Sequence, residues 1–205
     1  MSLKPLGEKI SEGYPYSKFE ASAKNKSSSV VASSGSHPFL VADMPRLRGT
    51  EKPFVVITAT GREAQEMIDF LGEYDSRFEL IEFPSWETLP HERLSPSSET
   101  VGKRLRAISR LIHLKKNPAD HPVFVIMSVR AALQPLHSQL SEHPAMEITS
   151  SREYSLAELP LKLIELGYER VDMVSQRGEF AIRGGIADVF PVTSDHPVRL
   201  EFFGD

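Results

Sequence analysis

The run Pro53–Ala59 (PFVVITA), followed without a break by a helix-start signal, constrains this chain more than any other feature. A continuous apolar run of this length reads as a strand covered on both faces. Thr60 and Glu63 then form a capping box, Ala64, Met67, Ile68 and Leu71 recur at helical spacing, and Gly72 is placed to stop the helix. The pattern repeats downstream. Phe78–Phe83 reads as a strand, an irregular stretch covers 84–96, and Ser97 or Ser98 caps a long helix with Val101, Leu105, Ile108, Leu111 and Ile112 on one side. Val123–Ser128 is a further buried strand. Strands and helices alternating in this way predict an α/β domain: a parallel sheet, helices on both faces and right-handed crossovers.

Beyond about residue 150 the pattern changes. Ser155 and Glu158 form a second capping box ahead of Leu156, Leu159, Leu163 and Leu166; Pro160 kinks or delays this helix, and Gly167 stops it. Val171–Gln176, Glu179–Arg183, Ile186–Phe190 and Val198–Phe203 read as short strands. Arg177-Gly178, Gly184-Gly185 and Thr193–Pro197 part them, as in an antiparallel meander. The expected organisation is a loosely ordered or docked arm over 1–29, an α/β domain over 30–150 and a small α+β domain over 151–205. A short strand is expected at Ser28–Ser33. The sequence stops at Asp205 straight after a strand pattern, as a cut chain would.

Composition serves mainly to exclude. With no cysteine there is no disulfide, zinc ribbon, iron–sulfur cluster or thiol nucleophile, which suits a reducing cytoplasm. No apolar run approaches the ~18 residues of a membrane span, and no signal peptide opens the chain, so a soluble cytoplasmic protein is expected. Lys plus Arg number 24 and Asp plus Glu 28, a net charge of −4. Residues 151–205 carry 6 basic and 10 acidic side chains and so hold the whole excess. Neither part has the basic surplus that drives phosphate contacts, so weak or no DNA binding is expected.

The chemistry-bearing motifs are mostly missing. Val30–Ser36 stands where a nucleotide-binding protein carries its phosphate loop, yet no GxxxxGK[ST] occurs and no Lys lies between Lys26 and Lys52. It reads as a strand-to-helix turn without a ligand. The histidines, including His91, His113, His121, His137 and His143, show no HxxxH or HExxH spacing, so no metal site is expected. There is no GxSxG elbow, and Glu87 and Glu92 lie in a loop without sign of burial. Lys103, Arg106 and Arg110 read as the solvated face of the long helix. In Glu179–Arg183 the period of two sets Phe180 and Ile182 on one face and Glu179, Ala181 and Arg183 on the other. Arg183, with Arg170 near it, is then either an interface residue or one paired locally with Glu179.

Several stretches carry a resemblance. They are Phe83–Pro90 (FPSWETLP) with Ser95-Pro96, Gly167–Asp172 (GYERVD), Arg177–Pro191 (RGEFAIRGGIADVFP) and Arg199–Asp205 (RLEFFGD). Together they closely resemble the N-terminal region of the bacterial transcription-repair coupling factors, and in order of elements the first part of the excision-repair protein UvrB. UvrB, however, carries a working phosphate loop and a tyrosine-rich DNA-gripping hairpin; Ser33–Ser36 and the segment SWETLPHERLSP occupy those positions here. The resemblance therefore implies a non-enzymatic module with no catalytic residue, cofactor or metal, whose small domain recruits UvrA. RNA polymerase and DNA would be bound by later domains of the parent, an ATP-dependent translocase. UvrA-facing positions carried over from the family fall on Arg170, Arg183 and Phe190, whereas an arginine of UvrB falls on Ala181. Two other readings stand beside this one: a fragment of a UvrB-like ATP-dependent repair helicase, and a free-standing nucleotide-binding enzyme. The missing Lys counts against both.

Overall fold

Phe54–Thr58 (β1), Glu79–Glu82 (β2) and Val123–Ser128 (β3) pair in parallel in the order β1-β3-β2, with Phe54 and Leu80 both level with Phe124. The computed structural model describes residues 3–88, 95–136, 146–149 and 152–203 and divides into two compact units. This sheet belongs to the first, Met1–Ser85 with Arg110–Pro135.

Val123, Phe124, Val125 and Ile126 are all buried, because β3 lies between two strands and under side chains on both faces. On one face Phe124 and Ile126 meet Ala64, Met67, Leu71 and Tyr74 of Gly61–Tyr74 (α4) and Ala42 of His37–Arg48 (α3). Ring packing ties this layer together: Phe124 lies 5.3 Å from Phe54 and 5.0 Å from Phe78, and Phe39 meets Phe70 edge-on at 4.8 Å. On the other face Val123 and Leu114, from Ser98–Lys116 (α5), line one small cavity. The α/β class with a parallel sheet is thus as expected, but two-sided burial belongs to β3 and not to β1. Val55 and Ile57 are 60% and 55% exposed, since β1 is an edge strand covered on one face alone.

The capping box at α4 forms, with Glu63 N–H donating to Thr60 Oγ1 at 3.1 Å and the Glu63 carboxylate accepting from Thr60 N–H at 3.2 Å. The helix does not stop at Gly72 but runs on to Tyr74. Burying Leu71 and Tyr74 outweighs the ~1 kcal/mol cost of an internal glycine, and Leu80 packs close to the bare Cα. The arm docks through two helices, Lys4–Ser11 (α1) and Tyr14–Ala23 (α2), with Tyr16 and Ala23 buried. Leu3 N–H donates to the Glu73 carbonyl at 3.2 Å, and a methyl at Gly7 would run into the Tyr74 ring. Docking rests on such single contacts and on ion pairs, Arg46 bridging Glu20 and Asp43, which apolar periodicity does not reveal. The strand expected at Ser28–Ser33 is absent: no strand pairs with it, Val31 is fully exposed, and the chain passes through the 3-10 turn Ser34–Ser36 into α3.

An ion cluster on this unit should make its stability depend on pH. Glu79 accepts from Arg110 at 2.6 Å and contacts His121 at 2.9 Å; chiefly through Arg110, and despite its partial burial, its carboxyl is held at about 2, against an ordinary 4.5. A carboxyl lowered on folding stabilises above its unfolded value and loses that contribution as pH falls through the folded one. The melting-temperature gap between wild type and Glu79→Gln should therefore close as pH drops from 4.5 towards 2. A gap that stays constant across that range would refute the assignment.

The second unit is Trp86–Ser109 with Leu136–Asp205. Compared with the expected boundary near residue 150, the segment Trp86–Ser109 groups here with the small domain. Arg104 packs its guanidinium 4.3 Å from the Trp86 ring, and Gly102 lies so close to the Val192 carbonyl that a methyl would collide with it. Ser97 caps α5, its Oγ accepting from Thr100 N–H at 3.2 Å. No described helix is long and apolar enough to cross a membrane.

Candidate partner-binding face of the small unit

Leu159–Glu165 (α6) begins at the residue before Pro160, later than the Ser155/Glu158 signal suggested, and that capping box is not formed. Proline lacks an N–H and so belongs in the first turn, where its donor is not needed. Starting there, the Ser155 carbonyl instead accepts from Glu158 and Leu159 in a turn. Gly167, at φ 83°, does end the helix, and Tyr168 N–H reaches back to the Leu163 carbonyl at 2.9 Å. That closure sends the chain into Glu169–Arg170 (β4).

A four-stranded sheet follows in the order β4-β5-β6-β7, with Glu179–Arg183 (β5), Ile186–Val189 (β6) and Val198–Glu201 (β7). β5, β6 and β7 form the expected antiparallel meander, whereas β4 is two residues long and runs parallel to β5. The strand expected over Val171–Gln176 is absent because the chain turns there. The Glu179 carboxylate accepts from Ser175 N–H at 2.7 Å and Gln176 N–H at 2.8 Å, bonds that also lower its pKa. One face of the sheet buries Phe180, Ala187 and Val189 against Leu159 and Leu163. The other carries Ala181, Asp188 and Arg199 in one row and Arg183, Ile186 and Glu201 in the next.

Arg183 is exposed at the end of β5, ahead of Gly184, whose φ of 59° makes the tight turn into β6. Its guanidinium donates to the Asp172 carbonyl, and Glu179 is occupied elsewhere, so the local pairing left open by the sequence does not form. Among the described residues no carboxylate lies within salt-bridge reach of Arg183 or Arg170. Arg170 is also exposed, but register sets it level with Phe180 and so on the alternate side of the ladder from Arg183. The turn after β4, where Asp172 accepts from Arg183 and Met173 is 75% exposed, draws the ends of the two strands together. Phe190 follows β6 and is half buried, its ring facing the Arg177 guanidinium at 5.5 Å. Ala181 is buried.

Charge on this unit is largely internal. Arg199 grips Asp188 through two bonds of 2.7 and 2.9 Å, lowering its pKa, and Asp195 is likewise lowered, first by Arg106 and then by Arg177. Reading the sequence missed Arg177, Asp195 and Met173. Arg177 looked like punctuation before Gly178, and the other two have no periodicity to mark them. Among the described residues no cluster of His, Asp and Glu is placed to hold a metal ion. His91, Glu92, His137 and His143 lie outside the described residues; Glu87 accepts from Ser97 Oγ at 2.6 Å and from Thr100.

A family model described as the UvrB interaction domain matches residues 146–205, a range that contains this sheet. Over 155 residues the chain is 48% identical to the transcription-repair-coupling factor of Mycobacterium tuberculosis, covering 75% of this chain and 12% of that protein. The Bacillus subtilis factor is 35% identical over 156 residues and the Escherichia coli factor 31% over 153, each covering 75% of this chain and 13% of the relative. The chain thus spans 12–13% of the length of these curated relatives. With the interaction domain falling on the small sheet and the identity running through most of the chain, the chain belongs to the transcription-repair-coupling factor family as its N-terminal UvrB-like module.

Proposed function

We propose that this module serves transcription-repair coupling by recruiting UvrA, and that it does so without chemistry of its own. One observation carries the reading: the residues matched to the UvrB interaction domain include a sheet whose rim holds two exposed arginines, Arg170 and Arg183, and a half-buried Phe190. Planar guanidinium groups on stiff elements suit a partner that offers carboxylates or ring faces. Binding of RNA polymerase and DNA falls to other parts of the longer protein, in the bacterial cytoplasm. Titrating UvrA into the 205-residue chain tests the reading directly. Saturable one-site binding is expected, and no binding at all would overturn it.

Nucleotide binding is not part of the proposal. Ser33–Ser36 has no strand leading into it, no Lys lies between Lys26 and Lys52, and at the β1–α4 turn the Glu63 carboxylate already takes the Ala59 and Thr60 N–H groups. Calorimetric titration with Mg-ATP should be flat; sub-millimolar binding would refute this. Duplex DNA should bind weakly. The three cations of the α5 stripe are each paired, Lys103 with Glu99, Arg106 with Asp195 and Arg110 with Glu79. A gel shift at physiological salt checks this, and tight binding abolished by altering all three would contradict it.

A further inference from the structure

Among the described residues, Phe190 does not belong to the buried cluster built on Phe180, and its ring lies under a cation. Arg177 is itself held at both edges of its guanidinium plane. Its Nε donates to the Ser194 carbonyl at 2.8 Å and its NH2 to Asp195 at 2.8 Å. Asp195 is held in turn from α5, where Arg106 NH1 donates to Asp195 at 3.2 Å and to the Thr193 carbonyl at 3.0 Å. The main chain of Phe190 is fixed separately. Gly178 N–H donates to its carbonyl at 2.8 Å, and its own N–H donates to the Glu179 carbonyl at 2.9 Å. A guanidinium bonded in its plane still has a face to offer a ring. The backbone therefore sets where Phe190 starts, and the Arg177 guanidinium lies over its ring.

We propose that Arg177 is a positioning residue for the partner-binding face, holding the Phe190 ring in place through an Arg177–Asp195–Arg106 brace anchored on α5. The inference rests on the recruitment reading given above. A ring ordered before association loses less freedom when the partner arrives, so the brace acts on affinity without touching the partner. Asp195 is the joint: removing its charge loosens one edge of the Arg177 guanidinium while leaving that group present and its bond to the Ser194 carbonyl in place.

A double-mutant cycle with UvrA affinity as the readout, and melting followed in parallel, tests this. Arg177→Ala and Asp195→Asn should each weaken binding about fivefold to tenfold, the scale of ordering one or two side chains at an interface, with little change in melting. In a Phe190→Ala background neither substitution should cause further loss. Losses that add would mean that Arg177 meets the partner itself, and wild-type affinity in both single variants would mean that the brace does not act on the ring; either overturns the proposal. Should Arg177→Ala fail to fold, Asp195→Asn carries the cycle alone. If the wild-type chain does not bind UvrA, the recruitment reading fails and takes this one with it. If wild type binds and Arg183→Ala is weakened while the brace variants match wild type, only the positioning role is lost.

Discussion

Arg183→Ala should weaken UvrA binding about thirtyfold, the ~2 kcal/mol typical of losing an arginine anchor at a desolvated interface centre, while melting stays at the wild-type value. Both halves of that expectation come from where the side chain stands. It projects from the last residue of β5, beside the Gly184 turn, and its guanidinium donates to the Asp172 carbonyl. An exposed contact of that kind contributes little to folding. In a partner's interface the same guanidinium would exchange water for carboxylate or ring contacts. Arg170→Ala is the companion measurement, since Arg170 is also exposed but on the alternate side of the ladder. A smaller loss there would place the centre of the interface on the Arg183 side. Full binding by both variants, with unchanged melting, would refute the proposed surface even with the family assignment intact.

What was legible in the sequence was whatever repeats with a fixed period or depends on a single residue type. Val123–Ser128 and the Thr60–Glu63 box are of this kind, as are Gly167 as a helix stop and the two faces of Glu179–Arg183; each appears in the structure where its pattern put it. The failures share a different cause. PFVVITA carries the same apolar density as a central strand, and only the sheet order reveals that Val55 and Ile57 face outward on an edge. Val171–Gln176 alternates acceptably, but one carboxylate three to four residues on, Glu179, captures its N–H groups and turns the chain. Long-range charge is least visible of all. Arg177 and Asp195 are 18 residues apart, and Arg106 and Asp195 are 89 apart. The sequence contains these residues, but nothing in their spacing says that they meet.

Phe180→Ala should have the largest effect on stability of any single change in the small unit. Its side chain is fully buried on the central β5, level with Val189 and packed with Leu159, Leu163 and Ala187. Removing a buried phenyl ring costs ~3–5 kcal/mol, the lost transfer energy plus the cavity left where neighbours cannot collapse. For a unit of this size each kcal/mol lowers melting by roughly 4–8 °C, so a fall of tens of degrees is expected by circular dichroism or calorimetry. UvrA binding would fall too, but only as the folded fraction falls, and ought to return on cooling to where the variant is folded. Arg183→Ala has the opposite signature, weak binding at every temperature on an intact fold. The contrast is a test of strand register as well as of either residue. Strand side chains alternate with period two, so a one-residue slip of β5 would bring Glu179, Ala181 and Arg183 to the core and Phe180 and Ile182 to the surface. Phe180→Ala with wild-type melting, and Arg183→Ala with a collapsed one, would mean that the two faces of this sheet had been assigned the wrong way round.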